Sequence, residues 1–205
     1  MKFLIKLFLF CFTCNSFAQT NWNELVLAAE KGNLEEVKFL IEDKGVFVDS
    51  ENFFPWNYTA LNRAVSNLDV SMVSYLLQKG ANPNHIYKYY ENIKGQEFFP
   101  LLDITSGTTN PGKRLVIVKL LMDAGGDVVW ASSWNNESAL SSSVRSGDFE
   151  IFSLIVKKVK RLNVKNGSWP LCLAVLKKRE KMISVLVEYG AKISSKNKKE
   201  SGCNL

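Results

Sequence analysis

The chain has 205 residues, a hydrophobic content of 46% and a formal net charge of +6, which are typical of a folded protein long enough to bury a core. Its only histidine is His85, so a Ser-His-Asp or Cys-His catalytic arrangement would have to form around that single imidazole, which argues against an enzyme of this kind. The charge is uneven, because residues 19–150 hold 11 Lys/Arg and 17 Asp/Glu, whereas residues 151–205 hold 13 and 3. We therefore expect an electrically polar protein rather than a uniformly basic one.

The first 18 residues have the features of a secretory leader. Two lysines precede an apolar run at 7–12, and Ser16-Phe17-Ala18 has the small-x-small pattern of a cleavage site. We predict a signal peptide over residues 1–18 that is cut before Gln19, and a periplasmic or secreted mature chain. The C-x-x-C at 11–14 lies inside this segment, so it is not expected to act in the mature protein.

Beyond the leader, one pattern recurs along the chain. A Leu-x-x-Ala-like start is followed by apolar residues at helical spacing, and the five starts are Leu25, Leu61, Leu101, Leu140 and Leu171. In three of these units a second apolar cluster runs into Gly80, Gly125 or Gly190, where a helix would end in the left-handed conformation that glycine adopts readily. Each unit therefore predicts two helices, whose apolar faces must pack against neighbouring units.

Capping residues mark several of the predicted helix starts. Asn23, Thr59 and Ser138 precede a first turn, where a side-chain oxygen can accept from free backbone N–H groups. Pro100 and Pro170 are expected at the first helical position, where proline costs least.

The segment TALNRAVSNLDVSMVSYLLQKGANPN at 59–84 resembles an ankyrin repeat, the unit of about 33 residues with a turn, two antiparallel helices and a projecting loop, here called a finger. The resemblance implies an all-α fold, an ankyrin-repeat solenoid of about five helix-turn-helix repeats, followed by a polar basic tail at 194–205. The repeats are expected near 23–49, 57–84, 97–129, 136–164 and 168–193. The sequence departs from the family pattern at Asn62, where His is usual, at Leu68 and Lys178, where the turn between helices usually has Gly, and at Val159, where the repeat usually ends in Gly.

The resemblance implies a non-catalytic module that binds proteins, and the fingers supply the candidate residues. Of the 19 aromatic residues after position 18, twelve fall in the first three fingers, where polar turns are usual. Large rigid aromatics beside polar residues have the composition of a protein-binding surface. The candidate binding residues are Trp56, Tyr58, Tyr87, Tyr89, Tyr90, Trp130 and Trp134. The alternative is that a long finger needs its own small core, with Phe54, Phe98 and Phe99 turned inward.

No motif predicts catalysis, a metal or a cofactor. The cysteines of the mature chain and His85 lack the spacing of metal ligands, and SGTTNPG at 106–112 lacks the features of a phosphate loop. We therefore expect a protein that is not an enzyme, without metal or cofactor, in which residues 106–112 form a loop between two helices. Cys172 is expected to be an inert thiol on a helix, with pairing to Cys203 in an oxidising compartment as the alternative.

The basic C-terminal end has two interpretations. Its stretches at 157–165 and 177–181 can attract phosphate, an anionic lipid surface or an acidic protein, or they can keep the last repeat soluble. We favour the second, with contact to a membrane surface as a weaker alternative. Nucleic acid is not expected as a partner, because the basic stretches lack interleaved stacking aromatics. We expect a monomer.

Together, the leader, the repeats and the fingers predict a non-catalytic protein–protein interaction module of the bacterial envelope. Its role would be to neutralise or to assist an envelope protein, an immunity-like or helper role that rests on family analogy. The alternative is an exported ankyrin effector that binds a host protein.

Overall fold

The computed structural model describes residues 24–52, 57–88, 97–132, 137–159 and 161–203. Residues 24–30 form helix α1, and the further helices are α2 (Leu34–Glu42), α3 (Ala60–Ser66), α4 (Val70–Gln78), α5 (Pro100–Ser106), α6 (Pro111–Asp123), α7 (Ala139–Ser146), α8 (Phe149–Val159), α9 (Val164–Leu176), α10 (Glu180–Glu188) and α11 (Ser195–Ser201). Strands β1 (Tyr87–Lys88) and β2 (Glu97–Phe98) pair antiparallel, with Tyr87 opposite Phe98. The chain divides into two compact units, one ending at Asn82 and the other beginning at Pro83.

The predicted all-α repeat of helix pairs is confirmed. In the second unit, the first helices of successive pairs, α5, α7 and α9, pack side by side, and each packs on its own partner, α6, α8 or α10. Their facing side chains are buried, among them Leu101, Ile117, Leu121, Leu140, Val144, Ile155, Leu171 and Ala174. A single helix pair could not bury these faces alone, so each repeat is stabilised by its neighbour.

The first unit is built in the same way from α1 to α4. Its core includes Leu25, Ala29, Val37, Leu40, Leu61, Ala64, Val73 and Leu76, all at most 2% exposed. Hydrogen bonds also join the two pairs, because Asn67 Nδ2 donates to the Glu30 carbonyl at 2.7 Å and Asn82 N donates to the Asp49 carboxylate at 2.9 Å.

The predicted helix ends are confirmed where the structure describes them, with one exception. Gly80, Gly125 and Gly190 adopt left-handed backbone conformations, with φ of 87°, 91° and 94°. Thr59 and Ser138 cap α3 and α7 through reciprocal capping boxes, and Asn62 takes part in the first by accepting from Thr59 N and Thr59 Oγ1. Pro100 begins α5, and Asn23 lies outside the described residues.

The prediction for Pro170 is wrong, because this residue lies inside α9. The helix begins at Val164, where Asn163 Oδ1 accepts from Lys165 N at 2.7 Å and from Asn166 N at 3.2 Å. Asn163 and Asn166 form a capping box that starts the helix earlier than the proline would. The proline is tolerated at the expense of the backbone bond that its missing N–H would have made.

The turn inside the helix pairs follows a common pattern. In three pairs, the residue just before the second helix donates its backbone amide to a carbonyl near the end of the first helix: Asn33 to Ala28, Asp69 to Ala64 and Arg179 to Ala174, at 2.9 to 3.0 Å. The residue before each donor is left-handed, whether it is Gly32 (φ 70°), Leu68 (φ 55°) or Lys178 (φ 53°). The turn therefore keeps its shape where glycine is absent, and Leu68 and Lys178 bear the conformational cost.

The third pair closes its turn with a side chain instead. Arg114 on α6 is 2% exposed, and it donates from Nε to the Ile104 carbonyl at 3.0 Å and from Nη2 to the Thr105 carbonyl at 3.1 Å. Its Nη1 lies 3.5 Å from the Asp148 carboxylate. Carbonyls at the end of a helix have no partner within it, so Arg114 caps α5. A loop lies between two helices as predicted, but it is shorter than the predicted 106–112, because α5 ends at Ser106 and α6 begins at Pro111.

The C-terminal segment, predicted as a polar basic tail, contains a helix that forms part of the fold. Residues Ser195–Ser201 form α11, which packs on α9. Ser168 Oγ on α9 accepts from Ser194 N and from Asn197 Nδ2, both at 2.8 Å. Cys203 is fully buried and forms a disulfide with Cys172, whose Cα lies 5.4 Å away. The expectation of an inert Cys172 thiol is therefore wrong, and the pairing alternative holds.

Candidate functional site

The fingers contain the residues predicted to bind a partner. Finger 1 is residues 43–59, finger 2 is 79–99 and finger 3 is 124–138, the segments that join α2 to α3, α4 to α5 and α6 to α7. Tyr58, Tyr87 and Trp130 lie in described parts of these fingers. Trp56, Tyr89, Tyr90 and Trp134 lie outside the described residues.

Tyr87 departs from the prediction because its side chain is buried. It is 3% exposed, and its ring stacks on Phe98 across the two strands with centroids 5.5 Å apart. Phe99, the next residue, is 2% exposed. This part of finger 2 therefore forms a small core of its own, as the alternative interpretation expected for Phe99, and the buried ring of Tyr87 leaves little surface for a partner.

Tyr58 lies half-buried near the base of finger 1. The guanidinium carbon of Arg63 lies 3.9 Å from the centre of its ring, close enough for a cation–π contact. Asn52 makes two hydrogen bonds to the Tyr58 backbone. Its side-chain oxygen accepts from Tyr58 N at 2.8 Å, and its backbone N–H donates to Tyr58 O at 3.0 Å. Tyr58 is thus an ordered aromatic beside a cation, in the first compact unit.

Trp130 is the best-positioned of the three predicted residues that the structure describes. Its ring packs edge-on against the buried Phe99 ring, with centroids 4.8 Å apart and planes at 76°, a favourable aromatic geometry. Its backbone is also fixed, because Asp127 Oδ1 accepts from Val129 N at 2.8 Å and from Trp130 N at 3.1 Å. A large aromatic side chain held in this way loses little conformational entropy when it binds.

Trp130 lines a groove of about 450 Å³ in the second unit. One wall comes from finger 3 and the cap of α7, and the other from the beginning of α9. The lining residues are Asp127, Val129, Trp130, Ala131, Ser138, Asn163, Lys165, Asn166 and Pro170. This groove of finger 3 and α9 is the candidate binding site.

The groove lies where a fourth finger would be expected. Residues 124–138 join α6 to α7, whereas α8 reaches Val159 and α9 already begins at Val164. Within this short connection, Leu162 N donates to the Tyr189 carbonyl at 2.7 Å, which ties it to the end of α10. The beginning of α9 therefore faces finger 3 across the groove, without an intervening finger.

A buried carboxylate links the two helices next to the groove. Glu137, 7% exposed, accepts from Arg145 Nη2 at 2.8 Å on α7, from Ser142 Oγ at 3.1 Å on the same helix, and from Trp169 Nε1 at 3.3 Å on α9. A buried carboxylate is tolerated when it is hydrogen-bonded in this way. The network holds α7 and α9 together, so the groove has a rigid base.

Sequence reasoning missed the α9 side of the groove. The sequence places Lys165 in a basic run, and Asn163 and Asn166 lie before the predicted start of the helix. The signal that could have found them is the spacing of 31 residues from Leu140 to Leu171, the shortest between repeats. That spacing leaves no room for both a finger and a helix of full length.

Among the described residues, no three His, Cys, Asp or Glu side chains are grouped so as to hold a metal ion. The same part of the chain contains no helix with the length and apolar character needed to span a bilayer.

Comparison with known proteins identifies the family. A family model described as Ankyrin repeats (3 copies) matches residues 2–86 and 110–197, and no curated protein matches the chain in a sequence search. The first matched range starts inside the predicted leader, and the gap at 87–109 holds β1, β2 and α5. The matches cover well over half of the chain, and the helix pairs with left-handed turns are the structure this family implies. The chain therefore belongs to the ankyrin-repeat family and is a protein–protein interaction module.

Proposed function

We propose that this protein is exported and binds a protein partner in the bacterial envelope, in order to neutralise or assist that partner. The observation that carries the proposal is Trp130, which is held rigidly by Phe99 and lines an open groove. Aromatic residues in well-packed, preorganised positions dominate binding energy in protein interfaces. Tyr58, stacked beside Arg63, is the second proposed contact.

The disulfide supports the proposed compartment. Cys172 and Cys203 are paired, and such bonds persist in oxidising compartments, whereas cytosolic proteins are generally kept reduced. The leader features of residues 1–18 point to the same side of the membrane. These two observations are independent, because one concerns the beginning of the chain and the other its last repeat.

Partner binding can be tested with the mature protein. The chain beginning at Gln19 would be used to capture its partner from an envelope extract, and the identified partner would be titrated against wild type, Tyr58→Ala and Trp130→Ala. Each substitution is expected to weaken binding by about 1 to 3 kcal/mol. Leu76→Ala serves as the core control, since it should lower the free energy of unfolding by about 2 to 5 kcal/mol.

The comparison between binding and stability decides the proposal. Trp130→Ala should lower stability by about 1 kcal/mol through the lost contact with Phe99, which is well below the loss in the core control. If both aromatic variants bind the partner like wild type, the finger residues are not the contact surface. Cell fractionation tests the proposed subcellular location. An effector acting on a host would accumulate outside the cell, whereas an envelope protein would remain in the periplasm.

A further inference from the structure

We propose that the groove of finger 3 and α9 receives an extended, acidic segment of the partner protein, in the place where a fourth finger would lie. The proposal rests on the proposed function, because it concerns the same kind of partner. It adds the chemistry of the segment that is bound and the residue, Lys165, that selects it.

The first argument comes from the way successive fingers contact each other. In the second unit, Asn84 of finger 2 accepts from Asp127 N at 2.7 Å and donates to the Gly125 carbonyl at 3.0 Å. In the first unit, Asp49 of finger 1 accepts from Asn82 N at 2.9 Å. Asp49 and Asn84 each stand four residues after a left-handed glycine, Gly45 (φ 66°) and Gly80 (φ 87°) respectively. Each of these fingers therefore contacts the backbone of the next through the same position.

In the described part of finger 3, the equivalent position holds no amide or carboxylate. The residue four positions after Gly125 is Val129, which is 48% exposed and lines the groove. An apolar side chain there replaces the amide or carboxylate of the earlier fingers, and α9 follows without a finger. Exposed apolar area beside a rigid Trp130 favours a segment that covers both.

The second argument is electrostatic. Lys165 lines the groove, is exposed, and has no ion-pair partner among the described side chains. The other charged lining residue is Asp127, whose Oδ1 already accepts two backbone N–H groups of finger 3. Residues 151–205 carry 13 Lys/Arg against 3 Asp/Glu, so the wider field also attracts negative charge. An acidic side chain on the bound segment would pair with Lys165 while apolar neighbours cover Val129 and Trp130.

The test uses defined peptides rather than an extract. Two pools of extended peptides of about eight residues would be identical except that one contains Glu where the other contains Gln. Fluorescence anisotropy gives their affinities for the mature protein, and amide NMR shifts at Val129, Trp130 and Lys165 give the position. The Glu pool is expected to bind more tightly, to weaken as salt is added, and to shift these three amides.

Two charge-reversal variants test whether the preference for the Glu peptides depends on Lys165. Lys165→Glu should reduce the affinity for the Glu pool by roughly three- to tenfold, and it should fold normally, because an acidic residue suits the first turn of a helix. Lys181→Glu is the matched control, an equal charge change at an exposed residue of α10 outside the groove. Equal binding of the two pools, or equal effects of the two reversals, would overturn the proposal.

Failure of the acidic-segment proposal can be distinguished from failure of the proposed binding function. If the envelope partner depends on Trp130 but is indifferent to Lys165→Glu, the acidic segment is wrong and the binding function stands. If the Glu peptides bind in the groove but no envelope partner is found, the inference about the groove stands and the proposed function fails.

Discussion

Lys178 adopts a left-handed backbone conformation, with φ of 53°, in the turn between α9 and α10. A side chain in this conformation costs about 1 to 2 kcal/mol, and the exposed Lys178 gains no burial in return. We therefore expect Lys178→Gly to raise the free energy of unfolding by about 0.5 to 1 kcal/mol, after the greater flexibility of glycine in the unfolded chain is allowed for. Urea denaturation would measure the change.

Gly32 provides the reverse control, since it occupies the same turn position in the first repeat with φ of 70°. Gly32→Ala should lower stability by about 1 kcal/mol. A shift of both variants in the same direction would show that the left-handed turn is not the cause.

The pH dependence of stability should contain a contribution from Glu42. Its carboxylate accepts from Lys79 Nζ at 2.7 Å and from Tyr75 Oη at 3.1 Å. These hydrogen bonds lower the pKa of Glu42 from its ordinary value of 4.5, and the one from Lys79 has the larger effect. Because the folded pKa is lowered, this contribution is present above pH 4.5 and is lost as the pH falls through the folded value. The difference in melting temperature between wild type and Glu42→Gln should therefore shrink on acidification below about pH 4.5. A difference that stays constant across this range would contradict the assignment.

At the scale of single elements, the end of α5 depends on Arg114. Burial lowers the pKa of the Arg114 guanidinium while Asp148 opposes this effect, and the group remains charged because arginine does not lose its proton in proteins. Arg114→Ala would leave the carbonyls of Ile104 and Thr105 and the carboxylate of Asp148 without this donor, so we expect a loss of about 2 to 5 kcal/mol. Lys113→Ala, an exposed neighbour on the same helix, is the control. Equal denaturation midpoints for the two variants would show that Arg114 does not hold the turn.

Elements with strong apolar spacing were predictable from the sequence, whereas their exceptions were not. Leu61, Ala64, Val73 and Leu76 fall on the buried faces expected of them, because burial of an apolar face determines how each pair packs. The start of α9 was missed, because an asparagine capping box and a proline are competing signals and local sequence does not rank them. The cap of α5 could not be predicted for another reason. Its donor, Arg114, lies on the next helix, and a hydrogen bond between two helices has no signature in the local sequence.

The candidate site was predictable only in part. The abundance of aromatic residues in the fingers pointed to Trp130, but it pointed equally to Tyr87, which is buried. Composition gives the type of side chain and not the direction in which a loop places it. Lys165 was missed because the groove arises from a finger that is absent, and a missing element leaves only a shortened spacing.

At the scale of the whole molecule, the Cys172–Cys203 disulfide ties the last helix to the fold. The bond closes a loop with a sequence separation of 31, for which the chain-entropy model gives about 3 to 4 kcal/mol of stabilisation. A reductant should therefore lower the denaturation midpoint of the wild type and leave that of the Cys172→Ala/Cys203→Ala double variant unchanged. Wild type that denatures identically with and without reductant would contradict a role for this bond in stability.

The central claim is that the protein binds a partner through the groove of finger 3 and α9, and site-specific photocrosslinking tests it most directly. A photoreactive amino acid would replace Val129, 48% exposed at the groove, or Val187, 50% exposed on α10, in protein expressed with its leader in bacterial cells. The two positions are matched in residue type and exposure, and only position 129 lies in the groove. We expect a discrete crosslinked product in the envelope fraction from position 129 and none from position 187. Crosslinking that is absent at 129, or equal at both positions, would contradict the account.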